Sequence, residues 1–257
     1  MSLTLRQICL VAGKLQPVIE DLTAVLGIEV CHVDPGVGKF GLENVLMAVD
    51  TNFIEVVAPI TEKTAAGRYL DRRGGDGGYM VITEADNAET QAACRARAEK
   101  MGVRVAWERR HETGITMQLH PADTGGSFFE IDSDQCNDTR GNWAAAGGIA
   151  WEKHIRKDVV AAIRGAELQS GDPEPLAERW SAIAGIKLQR DGAGRLEIPI
   201  NDAVIRFVEA TDGRGEGLGA IDIEAADPTR LLKAADERGL KVSDTQVMIC
   251  GLRFNLV

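Results

Sequence analysis

Hydrophobic and polar positions alternate with two different periods along this chain, and the change of period recurs. A short apolar run is followed by apolar residues at helical spacing, then by a glycine and several short β-branched or aromatic runs. In each case the glycine precedes an apolar, a charged and an apolar residue, at Gly27, Gly102, Gly185 and Gly239. Glycine suits a helix end because it adopts positive φ without a Cβ clash. The recurrence predicts four βαβββ units.

The stretch from Gly77 to Asp132 shows the unit most completely, as strand, helix and three strands. One such unit leaves one face of its sheet uncovered, so we expect the units to pair. In the first unit the apolar stripe of the helix is formed by Val18, Leu22, Val25 and Leu26. The expected fold class is α+β, with four βαβββ units paired into two tandem domains with curved mixed sheets.

The predicted domain boundaries follow the repeats. We predict a first domain at residues 1–133 (units 1–60 and 77–133), a linker at 134–150, and a second domain at 151–257 (units 158–211 and 218–257). The linker, DQCNDTRGNWAAAGG, is polar and then small, without periodicity.

The composition of the chain disfavours several classes of binding partner. The chain has 257 residues, a net charge of −10 and an apolar content of 44%, and its acidity disfavours binding to a phosphate backbone. No apolar run approaches the roughly 20 residues of a membrane span, and the first residues lack the features of a signal peptide. Five cysteines without metal-site spacing favour reduced thiols and a cytoplasmic location. The expected partner is a small molecule, not nucleic acid or membrane, and homodimer formation stays open.

The paired units resemble the vicinal oxygen chelate superfamily, which includes glyoxalase I, bleomycin-resistance proteins, methylmalonyl-CoA epimerase and extradiol dioxygenases. The layout covers the whole chain, and IEVVAPITEKTAAGRYLDRRGG and LHPADTGGSFFEID make the first half most similar to the epimerase-type members. The resemblance implies that two units form a sheet around a cleft. It also implies metal ligands early on the first strand of a unit, usually His, and on the last strand, usually Glu.

Aligned on the helix starts, the matching first-strand positions are Gln7, Tyr79, Gly165 and Ala220, and the last-strand positions are Glu55, Glu130, Arg206 and Asn255. The second domain therefore has no credible metal set, because Gly and Ala offer no donor and Arg repels a cation. This disfavours extradiol dioxygenase activity, since the iron of those enzymes sits in the second domain.

The first domain retains Gln7, Glu55 and Glu130 as a candidate metal set. Two carboxylates and an amide suit Mg or Mn better than Zn, but without imidazoles the expected cofactor is none, with a divalent cation as the alternative. A glutamate in the middle of an apolar strand is costly to bury unless it is paired, liganded or solvated. The alternative without function is a strand whose polar face meets water.

Two functions follow from these residues. The first is a lyase or isomerase that abstracts a proton from a small oxygen-rich molecule, with Glu130 and His120 as acid–base candidates and Tyr79, Gln7 and Glu55 as substrate contacts. The second is a metal-free binding or sequestration protein of the bleomycin-resistance type. The sequence leaves open whether the chain is an enzyme.

Overall fold

A computed structural model describes residues 2–111, 114–134 and 138–257. The first half contains β1 (Leu3–Val11), α1 (Leu15–Leu26), β2 (Val30–His32), β3 (Leu42–Val49), β4 (Asn52–Pro59), α2 (Ala65–Arg73), β5 (Gly77–Ala85), α3 (Ala88–Lys100), β6 (Val105–His111), β7 (Gly114–Leu119) and β8 (Phe128–Asp134). The second half contains β9 (Val160–Ser170), α4 (Pro173–Ala184), β10 (Gln189–Arg190), β11 (Leu196–Pro199), β12 (Val204–Glu209), β13 (Gly217–Ala225), α5 (Pro228–Glu237), β14 (Lys241–Ser243), β15 (Gln246–Ile249) and β16 (Leu252–Leu256). Short 3-10 helices lie at Pro35–Phe40, Ala144–Ala146 and Ala150–His154.

The strands form two eight-stranded mixed sheets with the same strand order. The first sheet runs β2-β3-β4-β1-β5-β8-β7-β6, and the second runs β10-β11-β12-β9-β13-β16-β15-β14. β5 pairs with β8 in parallel, as β13 does with β16, whereas the meander pairs β7–β8 and β15–β16 are antiparallel. The predicted α+β fold of four βαβββ units is therefore confirmed.

The helices form where the apolar spacing predicts them. The buried residues of α1 include the predicted stripe of Val18, Leu22, Val25 and Leu26. Gly27 ends this helix with φ of 69°, and its N–H donates to the Thr23 carbonyl at 3.1 Å.

Backbone contacts divide the chain into two compact units. The first contains Met1–Gln7, Tyr79–Arg140 and Gly165–Gly219, and the second contains Ile8–Gly78, Gly141–Arg164 and Ala220–Val257. The first unit thus holds the second and third repeats, and the second unit holds the first and fourth. This grouping differs from the predicted domains at 1–133 and 151–257, whose boundaries remain a prediction.

In the first unit, α3 packs against α4. Arg97 on α3 donates from Nε to the Ile183 carbonyl at 2.9 Å and from Nη2 to the Ala184 carbonyl at 2.8 Å, so it caps the last turn of α4. Trp180 on α4 stacks on Phe129, with ring centroids 4.1 Å apart. These contacts fix the helix pair against β8, the strand that carries the candidate site.

Within the described ranges, no helix is both long and apolar enough to cross a membrane. Within those ranges Cys9, Cys31, Cys94 and Cys250 take part in no disulfide, while Cys136 lies outside the described residues.

Candidate functional site

Two carboxylic acids share one face of β8, an internal strand between β5 and β7. Glu130 and Asp132 are 5% and 7% exposed, and Phe129 and Ile131, which alternate with them, are fully buried on the other face. The alternation places both carboxyls on one side of the sheet, two residues apart. Burial of two acids so close together is costly unless they share a proton or a partner.

The contacts of Asp132 show how the pair is held. The Thr116 hydroxyl lies 3.3 Å from Asp132 Oδ2, and the Met117 N–H donates to Oδ1 at 3.2 Å. Burial raises the pKa of Asp132 well above its usual value, and the charge of Glu130 and a hydrogen bond to its side chain act in the same direction, against the Met117 N–H. A hydrogen bond between two carboxyls requires a proton on one of them. The two carboxyls therefore share a proton, and Asp132 is the one whose pKa burial and the neighbouring charge raise.

A third buried acid lies beside this pair on β5. The parallel register pairs Glu84 with Asp132, and Glu84 is fully buried. Arg6 Nε, also buried, lies 3.4 Å from Glu84 Oε2. Burial raises the pKa of Glu84 to about 7 despite the attraction of Arg6, and the charges of Asp134 and Asp138 add to the rise. Burial likewise lowers the pKa of Arg6, so desolvation outweighs the mutual attraction in both partners.

Of the predicted residues, His120 lies two positions after Gln118, the residue that the β7–β8 register pairs with Glu130. Its ring has a structural contact, since Nδ1 accepts the N–H of Ala122 at 3.1 Å. The backbone carbonyl of His120 also accepts the N–H groups of Asp123 and Thr124. His120 therefore builds the turn that follows β7.

Tyr79 does not lie beside Glu130. The register pairs Glu130 with Ile82, three residues further along β5, and three residues of strand span roughly 10 Å. The Tyr79 ring instead packs edge-on against Phe128, with centroids 5.0 Å apart.

The remaining predicted residues fall in different units. Gln7 is buried at the end of the first segment of the first unit, which also holds Glu130. Glu55 belongs to the second unit, where its Oε1 accepts a hydrogen bond from Asn44 Nδ2 at 2.5 Å. The grouping of Gln7, Glu55 and Glu130 remains a prediction.

A divalent cation needs several ligands close together, and the described residues contain no group of three or more His, Cys, Asp or Glu side chains placed to hold a metal ion. Glu55 Oε1 already accepts a hydrogen bond from the Asn44 amide, and a metal ion bound to this oxygen would compete with that bond. A cation held by Gln7, Glu55 and Glu130, a set that includes an amide, remains a prediction.

In the second half, the positions matching Glu55 and Glu130 have other partners. Arg206 Nη1 lies 3.5 Å from Glu167 Oε2 on the neighbouring strand. Asn255 lies in a row with Asp222 and Gln246, donating to Asp222 Oδ1 at 2.9 Å and accepting from Gln246 Nε2 at 2.7 Å. The register pairs Asn255 with Asp222 and Gln246, as it pairs Glu130 with Ile82 and Gln118. Asn255 therefore matches Glu130 in the second sheet.

Sequence reasoning missed Asp132, Glu84, Arg6 and Asn44. Each is a buried polar residue in a strand, and burial of a polar side chain is the signal that singled out Glu130. Period-two alternation places Asp132 on the Glu130 face of FFEID, but no role was predicted for it.

No protein-family model and no curated protein matches the chain. Among solved structures, a hypothetical protein from Staphylococcus aureus is similar over 99% of both chains, with 13% identity and a TM-score of 0.64. Methylmalonyl-CoA epimerase from Mycobacterium tuberculosis matches 51% of this chain and 87% of its own, with 26% identity and a TM-score of 0.43. A Streptomyces coelicolor methylmalonyl-CoA epimerase in complex with 2-nitronate-propionyl-CoA matches 54% of this chain and 99% of its own, with 21% identity and a TM-score of 0.44.

The full-length likeness concerns the fold and not the reaction, because 13% identity leaves the side chains of a site unconstrained. Together with the repeated strand order, it establishes the architecture. The chain therefore has a glyoxalase-like α+β fold, built from four βαβββ units in two mixed sheets.

Proposed function

We propose that the chain binds a small oxygen-rich molecule at the β8 face and transfers a proton on it, as an isomerase or lyase. The observation that carries this proposal is the buried, hydrogen-bonded pair of Glu130 and Asp132. A pair of carboxyls that shares one proton supplies a base and an acid at the same place.

The charged carboxylate of Glu130 is the proposed base. Partly dehydrated carboxylates remove protons more readily than hydrated ones, and the proton on Asp132 keeps the two charges from repelling. Abstraction of a proton next to a carbonyl also requires a donor for the developing oxyanion. The amide of Gln118, beside Glu130 in the register, is the proposed donor, and Gln7 in the same unit is a proposed ligand contact.

His120 is left out of this proposal because its Nδ1 accepts the Ala122 N–H. The alternative function is sequestration of a ligand without chemistry, and the engagement of His120 Nδ1 in the turn favours it.

Proton abstraction is measurable without knowledge of the product. Each of a panel of small carbonyl acids and thioesters, including methylmalonyl-CoA, is incubated with the protein in D₂O, and loss of the proton next to the carbonyl is followed by ¹H NMR. We expect exchange with at least one compound, and a loss of about 100-fold or more in Glu130→Gln, as is typical when a general base is removed. Asp132→Asn should lower the rate less, because a neutral hydrogen-bond donor remains beside Glu130.

The exposed Glu62 provides a matched control, and Glu62→Gln should exchange at the unmodified rate. Exchange that persists unchanged in Glu130→Gln would refute the proposed base. Binding of a compound, seen as a change in its NMR linewidth, without exchange would favour sequestration.

A further inference from the structure

The side chain of Asn44 joins a strand carboxylate to a loop in the second unit. Its Nδ2 donates to Glu55 Oε1 at 2.5 Å, and its Oδ1 accepts the backbone N–H of Asp34 at 3.0 Å. Asn44 is 2% exposed and Glu55 is 7% exposed. Because an amide donates at one end and accepts at the other, these two partners together fix its orientation.

The sheet register builds this contact into the fold. In the antiparallel pair of β3 and β4, Leu46 lies opposite Glu55 and Asn44 lies opposite Val57. Asn44 and Glu55 are therefore diagonal neighbours on one face, about 7–8 Å apart at the backbone, within reach of an amide and a glutamate. The contact belongs to the sheet and not to a chance encounter at the surface.

Asp34 is the residue at which the loop begins. It precedes the 3-10 helix Pro35–Phe40, and its Oδ1 accepts the Gly36 N–H at 2.7 Å. At the far end of this segment the Phe40 side chain is 43% exposed. The loop thus presents an apolar ring to solvent while Asn44 holds its first residue.

We propose that Asn44 is a positioning residue that couples the Glu55 carboxylate to the loop Pro35–Phe40. A hydrogen-bond donor of a ligand that displaces Asn44 Nδ2 from Glu55 Oε1 removes one of the two contacts that fix this amide. The amide then turns, and the Asp34 N–H loses its acceptor, so binding at Glu55 loosens the loop. This coupling does not depend on the acid–base pair on β8, so it stands or fails independently of the proposed function.

The test is amide hydrogen exchange of Asp34, measured by NMR in the full chain. We expect Asn44→Ala and Glu55→Met to speed exchange of the Asp34 N–H by about tenfold, which matches the loss of one hydrogen bond. Glu55→Gln keeps a carbonyl acceptor and should leave that rate near the unmodified value. The Gly13 N–H donates to Asp76 Oδ1 in the same unit and serves as an internal control whose rate should not change.

The double variant Asn44→Ala with Glu55→Met should exchange no faster than Asn44→Ala alone, because both changes break one chain of hydrogen bonds. An unchanged Asp34 rate in Glu55→Met, or additive effects in the double variant, would overturn the coupling. If Glu55→Met does not fold, the unmodified protein with ¹⁵N-labelled asparagine replaces it. One Asn44 Nδ2 proton should then exchange about tenfold more slowly than the other, and equal rates would overturn the proposal.

Discussion

The ion pair between Arg6 and Glu84 should weaken the fold as the pH rises, and Glu84→Gln isolates this effect. Burial raises the pKa of Glu84 from 4.5 to about 7. Below that pH the carboxyl is neutral in the folded protein, and glutamine closely matches its shape and polarity. The variant should therefore be about as stable as the unmodified chain in mild acid.

The magnitude follows from linkage. Between pH 4.5 and about 7 the folded protein retains a proton on Glu84 that the unfolded chain has released, so the folded state binds more protons. The stability contribution of Glu84 is therefore fully present below pH 4.5 and is lost as the pH rises through about 7. A pKa change of this size corresponds to about 3 kcal/mol of unfolding free energy. The unfolding free energy of Glu84→Gln, relative to that of the unmodified chain, should therefore rise by about 3 kcal/mol from mildly acidic to mildly alkaline pH.

The assay is urea unfolding followed by tryptophan fluorescence, with both proteins measured at matched pH values. The difference between their unfolding free energies cancels the other titrating groups, including Asp132, to first order. Glu62→Gln, at an exposed position, should show no such trend. A difference that stays flat with pH, or one in which Glu84→Gln loses stability at alkaline pH, would refute the reasoning. The second result would mean that attraction to Arg6 outweighs burial.

Two further predictions concern α4: its contact with Arg97 of α3 and its packing against Phe129 of β8. Arg97→Ala leaves the carbonyls of Ile183 and Ala184 without their charged donor and should cost about 2 kcal/mol. Arg97→Lys should recover only part of this in thermal unfolding, since a single ammonium cannot replace the guanidinium fork; full recovery would contradict the forked contact. Trp180→Ala removes the ring stacked on Phe129 and should cost roughly 3–5 kcal/mol. Trp180→Phe keeps one ring but loses the rest of the indole and the N–H that donates to the Thr124 carbonyl, and it should cost about 2 kcal/mol. Equal losses in the two tryptophan variants would contradict this packing.

The architecture could be predicted because each repeat contains residues with strong local conformational preferences. Gly27 and Gly185 end their helices at positive φ, and the stripes that include Val18 and Trp180 are buried. Such signals depend on period and turn chemistry, which the sequence shows directly. The grouping of repeats into compact units depends on packing between distant segments, and local patterns carry no information about that.

The position of Tyr79 differs by one residue from the position that matches Gln7. Gln7 lies seven residues before Lys14, the residue that precedes α1, and seven residues before Asn87, which precedes α3, is Met80. The register agrees, because Met80 shares the face of Ile82, the partner of Glu130. A shift of one residue moves a strand side chain to the opposite face, so Tyr79 and Met80 lie on opposite faces of β5, and the role of Tyr79 as a substrate contact remains a prediction.

Glu84 was missed for a different reason. Glu84 and Asp132 are neighbours only because β5 and β8 pair in a specific parallel register. Sequence alternation assigns each residue to a face of its own strand, but it does not say which residue of another strand lies alongside. Clusters of buried charge therefore emerge only once the register is known.

The row of Asp222, Asn255 and Gln246 has a consequence for protein engineering. It occupies the place in the second sheet that Ile82, Glu130 and Gln118 occupy in the first. Asn255→Glu would place a second carboxyl next to Asp222, between strands with the same pairing as those around Glu130. An acid pair can therefore be introduced into the second sheet, at a position with the same strand pairing, and titrated there while Glu130 and Asp132 remain unchanged.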